Sequence, residues 1–254
     1  MKVSKMNTML SILLLELKPG KRTGIAVVIN ILATLTLYLV FVVGLGELIP
    51  RIQLTDIDIW MFPGIIGLFA TFMAFNLALQ DTYRMVCETG LIDQINSSRL
   101  LTRQVYFIKS LVFLVESFGH LILASITLWI VAGIRLNVGY LALFWFYYIL
   151  GLILISQIGM LTGVISANIK LQRGLLNSLI IAVLLCSGVI VPSLRYPGIL
   201  SQIIYYFPTT IIIEGGRELL TFHNLNVIYL PYLIFIDMAI VGIGYTIFRR
   251  RLSK

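Results

Sequence analysis

Residues 80–109, QDTYRMVCETGLIDQINSSRLLTRQVYFIK, gather Asp81, Arg84, Glu88, Asp93, Arg99, Arg103 and Lys109 in a chain that is otherwise greasy. The stretch separates two long apolar runs, so it reads as a water-facing connection between two membrane spans. It also carries local order. Cys87, Leu91 and Ile95 recur every four residues, which lines one side of a helix. Gly90 interrupts that run, and Ser97-Ser98 supplies an N-cap for the helix leading into the next span. A surface helix with an apolar side, held between two spans, is a docking element. The bland alternative is an ordinary solvated loop.

Composition points the same way. Of 254 residues, 59% are hydrophobic and 12% charged, against about 25% charged in soluble domains. The expected class is an all-α integral membrane protein, with residues 1–254 forming one transmembrane domain. The net charge of +8 does not imply nucleic acid, because the basic residues are dispersed among apolar runs and gather near their ends. Cys87 and Cys186 fall in a loop and in a span, and read as two free thiols.

Working outward, residues 1–22 read as an amphipathic helix in the interface rather than a signal peptide. Met6, Met9, Leu10, Leu13, Leu14 and Leu17 share one face, and no small-residue cleavage site follows. Six spans are expected, at residues 24–45, 60–79, 106–131, 140–167, 174–191 and 227–248. Placing both termini in the cytoplasm puts fifteen of the nineteen Lys and Arg residues inside, leaving Arg51, Arg135, Arg195 and Arg217 outside. That asymmetry sets the topology, with a multi-pass protein of the cell membrane and residues 80–109 in the cytoplasm.

Residues 192–226 are too apolar for a solvated loop and too interrupted for a plain span. Pro192, Pro197 and Pro208 break the segment, and Glu214, Arg217 and Glu218 follow at helical spacing. Two half-helices dipping into the outer leaflet fit, as does a pair lying on the surface; the first makes a candidate external gate.

No catalytic constellation is present. Gly20-Lys21 has no glycine five residues before it, so a phosphate-binding P-loop is absent, and the His and Cys residues show no metal-ligand spacing. Glu116 and His120 share a face of the third span and point to the bundle interior, as a substrate contact or as an interhelical hydrogen bond. Asp237, in the sixth span, carries the same two readings. Gly159 and Gly163 form a GxxxG that allows close helix packing, within the chain or between two copies.

Two stretches together resemble the ABC type-2 exporter permeases. Residues 84–95, with Arg84, Glu88, Gly90, Leu91 and Ile95, are similar to that family's cytoplasmic R-E-x-G-T-L-E-x-L stretch, with Thr89 and Gly90 in reversed order. Ser187, Gly188 and Pro192, then Pro197, then Pro208, then Glu214 and Arg217, resemble its S-G-x-x-x-P … P … N-P … E-G-x-R signature, with Phe207 in place of Asn. The resemblance implies a half-transporter permease with no enzymatic activity of its own. Its partners are a second permease copy, identical or a close homologue, two copies of a nucleotide-binding ATPase subunit, and membrane lipid. ATP and Mg belong to the ATPase, and no cofactor to this chain. Arg84, Glu88, Gly90, Leu91 and Ile95 would couple to the ATPase; Ser187, Gly188, Pro192, Pro208, Glu214 and Arg217 would shape the external gate. The implied substrates are a drug, a lipid or a lipid-linked glycan. The competing reading is a secondary transporter or channel without an ATPase, kept open by Glu116, His120 and Asp237. A lipid-modifying membrane enzyme lacks the clustered Asp, His and Glu it needs.

Overall fold

The computed structural model describes residues 21–49, 51–52, 55–88, 101–166 and 169–252. The expected interfacial helix of residues 1–20 lies outside them. Helix α1 (Lys21–Tyr38) continues through a π-helical turn, Leu39–Val43, to Gly46. Two short strands follow, β1 (Arg51–Ile52) and β2 (Thr55–Asp56), paired antiparallel with Arg51 opposite Asp56. Then come α2 (Ile57–Tyr83), α3 (Thr102–Ala132), α4 (Val138–Ile165) and α5 (Ile169–Leu184). Two short helices, α6 (Ile199–Tyr205) and α7 (Pro208–Phe222), precede α8 (Tyr229–Leu252).

Five helices are long and apolar enough to cross a membrane: Gly24–Gly46, Ile57–Cys87, Thr102–Ala132, Val138–Ile165 and Tyr229–Arg251. The expected fifth span is a shorter apolar helix, Gly174–Val189. Its last turn, Leu185–Val189, is π-helical and breaks at Gly188, whose φ of +83° is a left-handed conformation that favours glycine.

Local chemistry explains several ends. Gly133, at φ +62°, terminates α3 in the left-handed cap geometry. Asn137 caps α4, its Oδ1 accepting from the Gly139 N–H at 2.8 Å. At the start of α3 the Leu101 N–H donates to Gln104 Oε1 at 3.0 Å, so the described helix opens at Thr102; Ser97-Ser98 lies outside the described residues.

Helix α2 is the axis of the molecule. Trp60, Phe62, Ile66, Ala70, Phe75 and Leu79, on all its sides, are buried, as befits a helix that is apolar all round. The helix packed most extensively against it is α4. The GxxxG pair settles here, within the chain. A Cβ on Gly159 would sit 2.6 Å from Phe75 O, and one on Gly163 2.7 Å from Leu79 O, so the two backbones touch. By contrast α1 and α8 are peripheral, turning Ile25, Leu32, Val40, Phe235 and Met238 outward.

Neighbouring contacts define two ends. At one, Lys109 meets Asp81 at 2.8 Å, Tyr106 packs on Tyr245 and Phe248, and the chain carries Arg249, Arg250 and Arg251. We term this the basic end. The Tyr106 hydroxyl, donating to Gln157 Oε1 at 2.5 Å and lying 3.1 Å from Val241 O, joins α3, α4 and α8 there. At the far end α7 packs against α2 and α4, and the last turn of α5 against α2.

Candidate functional site

The segment with three prolines breaks where the sequence said it would. Pro192 opens a 3-10 turn, Ser193–Arg195, and Pro208 is the first residue of α7, where its missing N–H costs nothing. Helix α7 is the surprise. Thr209, Thr210, Ile212, Gly216, Arg217 and Leu220 are all buried, so it is packed inside the far end against α2 and α4 and does not lie on the surface.

Two glycines let it approach. A Cβ on Gly216 would stand 2.8 Å from the Tyr148 ring, and one on Gly215 would collide with the Tyr147 hydroxyl. Those tyrosines then hold the helix: Tyr147 donates to Ile211 O at 2.9 Å, and Tyr148 donates to Pro63 O on α2 at 2.8 Å.

Arg217 is the centre of this packing. It is 3% exposed. Its Nε donates to Trp60 O at 3.0 Å, and its Nη2 to Gly188 O at 2.7 Å and Val189 O at 3.2 Å. The guanidinium also lies over the Trp60 ring, 4.1 Å from its centroid. The last carbonyls of a helix are unsatisfied and carry partial negative charge. Here the broken end of α5 presents two of them to a cation, which is why a charge is tolerated there. Burial pulls the Arg217 pKa down to about 10, opposed by the nearby Glu214, so the guanidinium stays cationic at neutral pH.

Glu214 and Arg217 lie three apart but divide their work. Glu214 Oε1 accepts from the Ser193 N–H at 2.7 Å and Oε2 from the Ser193 hydroxyl at 3.0 Å. Ser187 donates to Val183 O at 2.6 Å and shares a hydrogen with Thr209 Oγ1 at 2.5 Å. A Cβ on Gly188 would stand 3.1 Å from Glu214 Oε1, on top of its left-handed φ. Ser187, Gly188, Pro192, Pro208, Glu214 and Arg217 thus form one assembly. Trp60, Ser193 and Thr209 complete it, and the Trp60 carbonyl, as a backbone acceptor, leaves no mark in a sequence. Tyr205 and Tyr229 share a hydroxyl hydrogen bond that ties α6 to α8.

At the basic end the expected loop is partly helix. Helix α2 runs past residue 79 and closes in a π-helical turn, Arg84–Glu88. Arg84 is exposed there, Met85 is buried, and Cys87 is exposed with its Sγ 4.0 Å from Ser166 O. Gly90, Leu91 and Ile95, and the side chain of Glu88, lie outside the described residues.

Glu116 and His120 are half-buried between helices, and His120 makes an interhelical hydrogen bond, one of the two readings of this pair. Both line an open cleft of about 1000 Å³ between α1, α2 and α3, together with Gln80, Asp81, Arg84 and Lys109. Asn30 of α1 joins α3 beside it, its Nδ2 standing 2.8 Å from His120 Nδ1 and donating to His120 O at 3.1 Å. Asp237 is remote from both assemblies. It is buried on α8, and its Oδ2 has no hydrogen-bond partner among the described residues.

The family model for the ABC-2 type transporter matches residues 11–221. No curated protein and no solved structure matches the chain. The match covers most of the chain, so this protein belongs to the ABC-2 type transporter family. It is the membrane-spanning permease component of an ABC transporter, a kind of chain that generally works with ATPase subunits.

Proposed function

We propose that the chain is the permease subunit of an ATP-driven exporter for a drug, a lipid or a lipid-linked glycan. Two copies, or one with a close homologue, would form the pathway. Two copies of a separate nucleotide-binding subunit would bring ATP and Mg. In this reading the basic end faces the cytoplasm, α5 with its broken last turn is the fifth of six crossings, and the far end is the exit.

The observation that carries the reading is the Arg217 assembly. Gly188 and Val189 at the break of α5 and Trp60 of α2 converge on one buried cation of α7, the Arg217 guanidinium. Its bonds end on backbone carbonyls at a helix break, a geometry that shifts when either helix moves. A few hydrogen bonds can therefore bias α7 between two packings, which is what a gate requires. Coupling would enter at the other end, through the exposed Arg84 and onward through Glu88, Gly90, Leu91 and Ile95.

The test is reconstitution with the cognate ATPase in vesicles. Leu91→Asp should insert but lose the ATPase, because it buries an unpaired carboxylate in the contact. Arg217→Gln should retain the ATPase but lose substrate-stimulated hydrolysis. Wild-type stimulation in both variants, or substrate movement independent of ATP, would overturn the reading in favour of a secondary transporter or channel.

A further inference from the structure

The two short helices of residues 192–226 have opposite surroundings. Most of α7 is buried, whereas in α6 only Ile204 is. The residues that α6 turns outward are apolar. Ile199, Leu200, Ile203 and the following Tyr206 are exposed, Ile199 at 74%. At 3.6 residues per turn these four cover roughly 120° of the helix circumference with no polar residue among them. Ser201 falls on the opposite side, half-buried, and the exposed Gln202 on a flank. A helix at a water-facing surface turns its polar side out; α6 does the reverse.

The level of α6 follows from its hydrogen bonds to α8. The Tyr205 and Tyr229 hydroxyls bond to each other, and the Tyr232 hydroxyl donates to Tyr206 O at 2.8 Å. Tyr229 is the first residue of the membrane-length helix Tyr229–Arg251, and Tyr232 lies about 5 Å further in. The C-terminal end of α6 therefore stands at the edge of the hydrocarbon. Tyrosine suits that edge, because its ring is apolar and its hydroxyl polar. From there α8 turns Ile234, Phe235 and Met238 outward. Tyr206 and Tyr232, both exposed, join the outward side of α6 to that apolar face.

We propose that α6 is a lipid-binding helix, with Ile199, Leu200, Ile203 and Tyr206 set among the upper acyl carbons of the leaflet at the far end. Lipid requires no complementary shape, only an apolar side at the right depth, and the tyrosine bonds set that depth. Two residues, Tyr206 and Phe207, join α6 to α7. A leaflet that grips α6 therefore bears on the helix that carries Glu214 and Arg217. The proposal uses the fold and a membrane alone, so it stands or falls apart from export.

The full chain in phosphatidylcholine vesicles tests this. In a Cys87→Ser, Cys186→Ser background, Ile203→Cys is labelled with an environment-sensitive fluorophore. The label should be quenched by phosphatidylcholine spin-labelled high on its acyl chain, less by phosphatidylcholine spin-labelled near the chain end, and should be shielded from iodide in the water. Gln202→Cys, on the flank, should lose that shielding and be quenched by iodide. Leu200→Cys repeats the measurement on the apolar side should Ile203→Cys misfold. Iodide quenching as strong at position 203 as at 202 would make α6 a solvated helix. Shielding from both iodide and spin-labelled lipid, with a disulfide forming between two Ile203→Cys chains, would make a second copy the occupant. Either result overturns the proposal.

Discussion

Arg217 shows how one side chain can organise a helix break. A guanidinium offers five donors in a fixed fork and a flat face; three bonds and the Trp60 stack use both properties. Lysine has neither the fork nor the face. Arg217→Lys is therefore expected to destabilise by roughly 1–3 kcal/mol, the cost of leaving a buried acceptor unmade. Arg217→Leu should cost more, since it strands Trp60, Gly188 and Val189 carbonyls together. Thermal unfolding of the purified protein in detergent measures both, and equal midpoints for wild type and Arg217→Leu would show that the buried bonds contribute nothing. Gly188→Ala belongs to the same scale. A left-handed φ costs an L-residue roughly 1–2 kcal/mol, and the new methyl meets Glu214 Oε1 at 3.1 Å; the unfolding midpoint should fall.

Between elements, the close approach of α2 and α4 depends on the absence of two side chains. The atoms a Cβ would strike at Gly159 and Gly163 are carbonyl oxygens of α2, which cannot rotate away. Alanine at either site must push the helices apart. Gly242 on α8 is the control, since a Cβ there meets nothing within 4 Å. Gly242→Ala should be neutral, or stabilising by about 0.5–1 kcal/mol through helix propensity alone. Gly159→Ala and Gly163→Ala should each lower the unfolding midpoint despite the same gain. If all three substitutions shift it alike, the α2–α4 contact is not the close one described. The helix boundaries moved for a related reason: Gln80 to Tyr83 are polar enough to read as loop, yet Met85 beneath them is buried and the helix continues to cover it.

For the molecule as a whole, the expectation with a direct test is orientation. Cys87 is exposed at the basic end and Leu194 is 73% exposed at the far end. In a Cys186→Ser background, an impermeant maleimide should label Leu194→Cys on intact cells but Cys87 only after permeabilisation. Labelling of Cys87 from outside would invert the topology. The same scale explains the outward apolar faces of α1 and α8: within a bilayer they meet lipid or a second chain, so their exposure carries no penalty.

The sequence alone determined the class, because hydrophobic runs of membrane length in a chain with 12% charged residues need no tertiary information. It also marked positions 187–217, since prolines, a Ser-Gly pair and an Arg in an apolar segment demand special backbone and buried partners. Only the tertiary structure decided what those partners are. Arg217 binds carbonyls and an indole across the molecule, whereas its near neighbour Glu214 binds Ser193. Periodicity records which face of a helix is apolar but not what covers it. That is why GxxxG left two packings open until α2 was seen against α4. It is also why the partner of His120, Asn30 on α1, was not legible, since no residue spacing encodes which helices lie side by side.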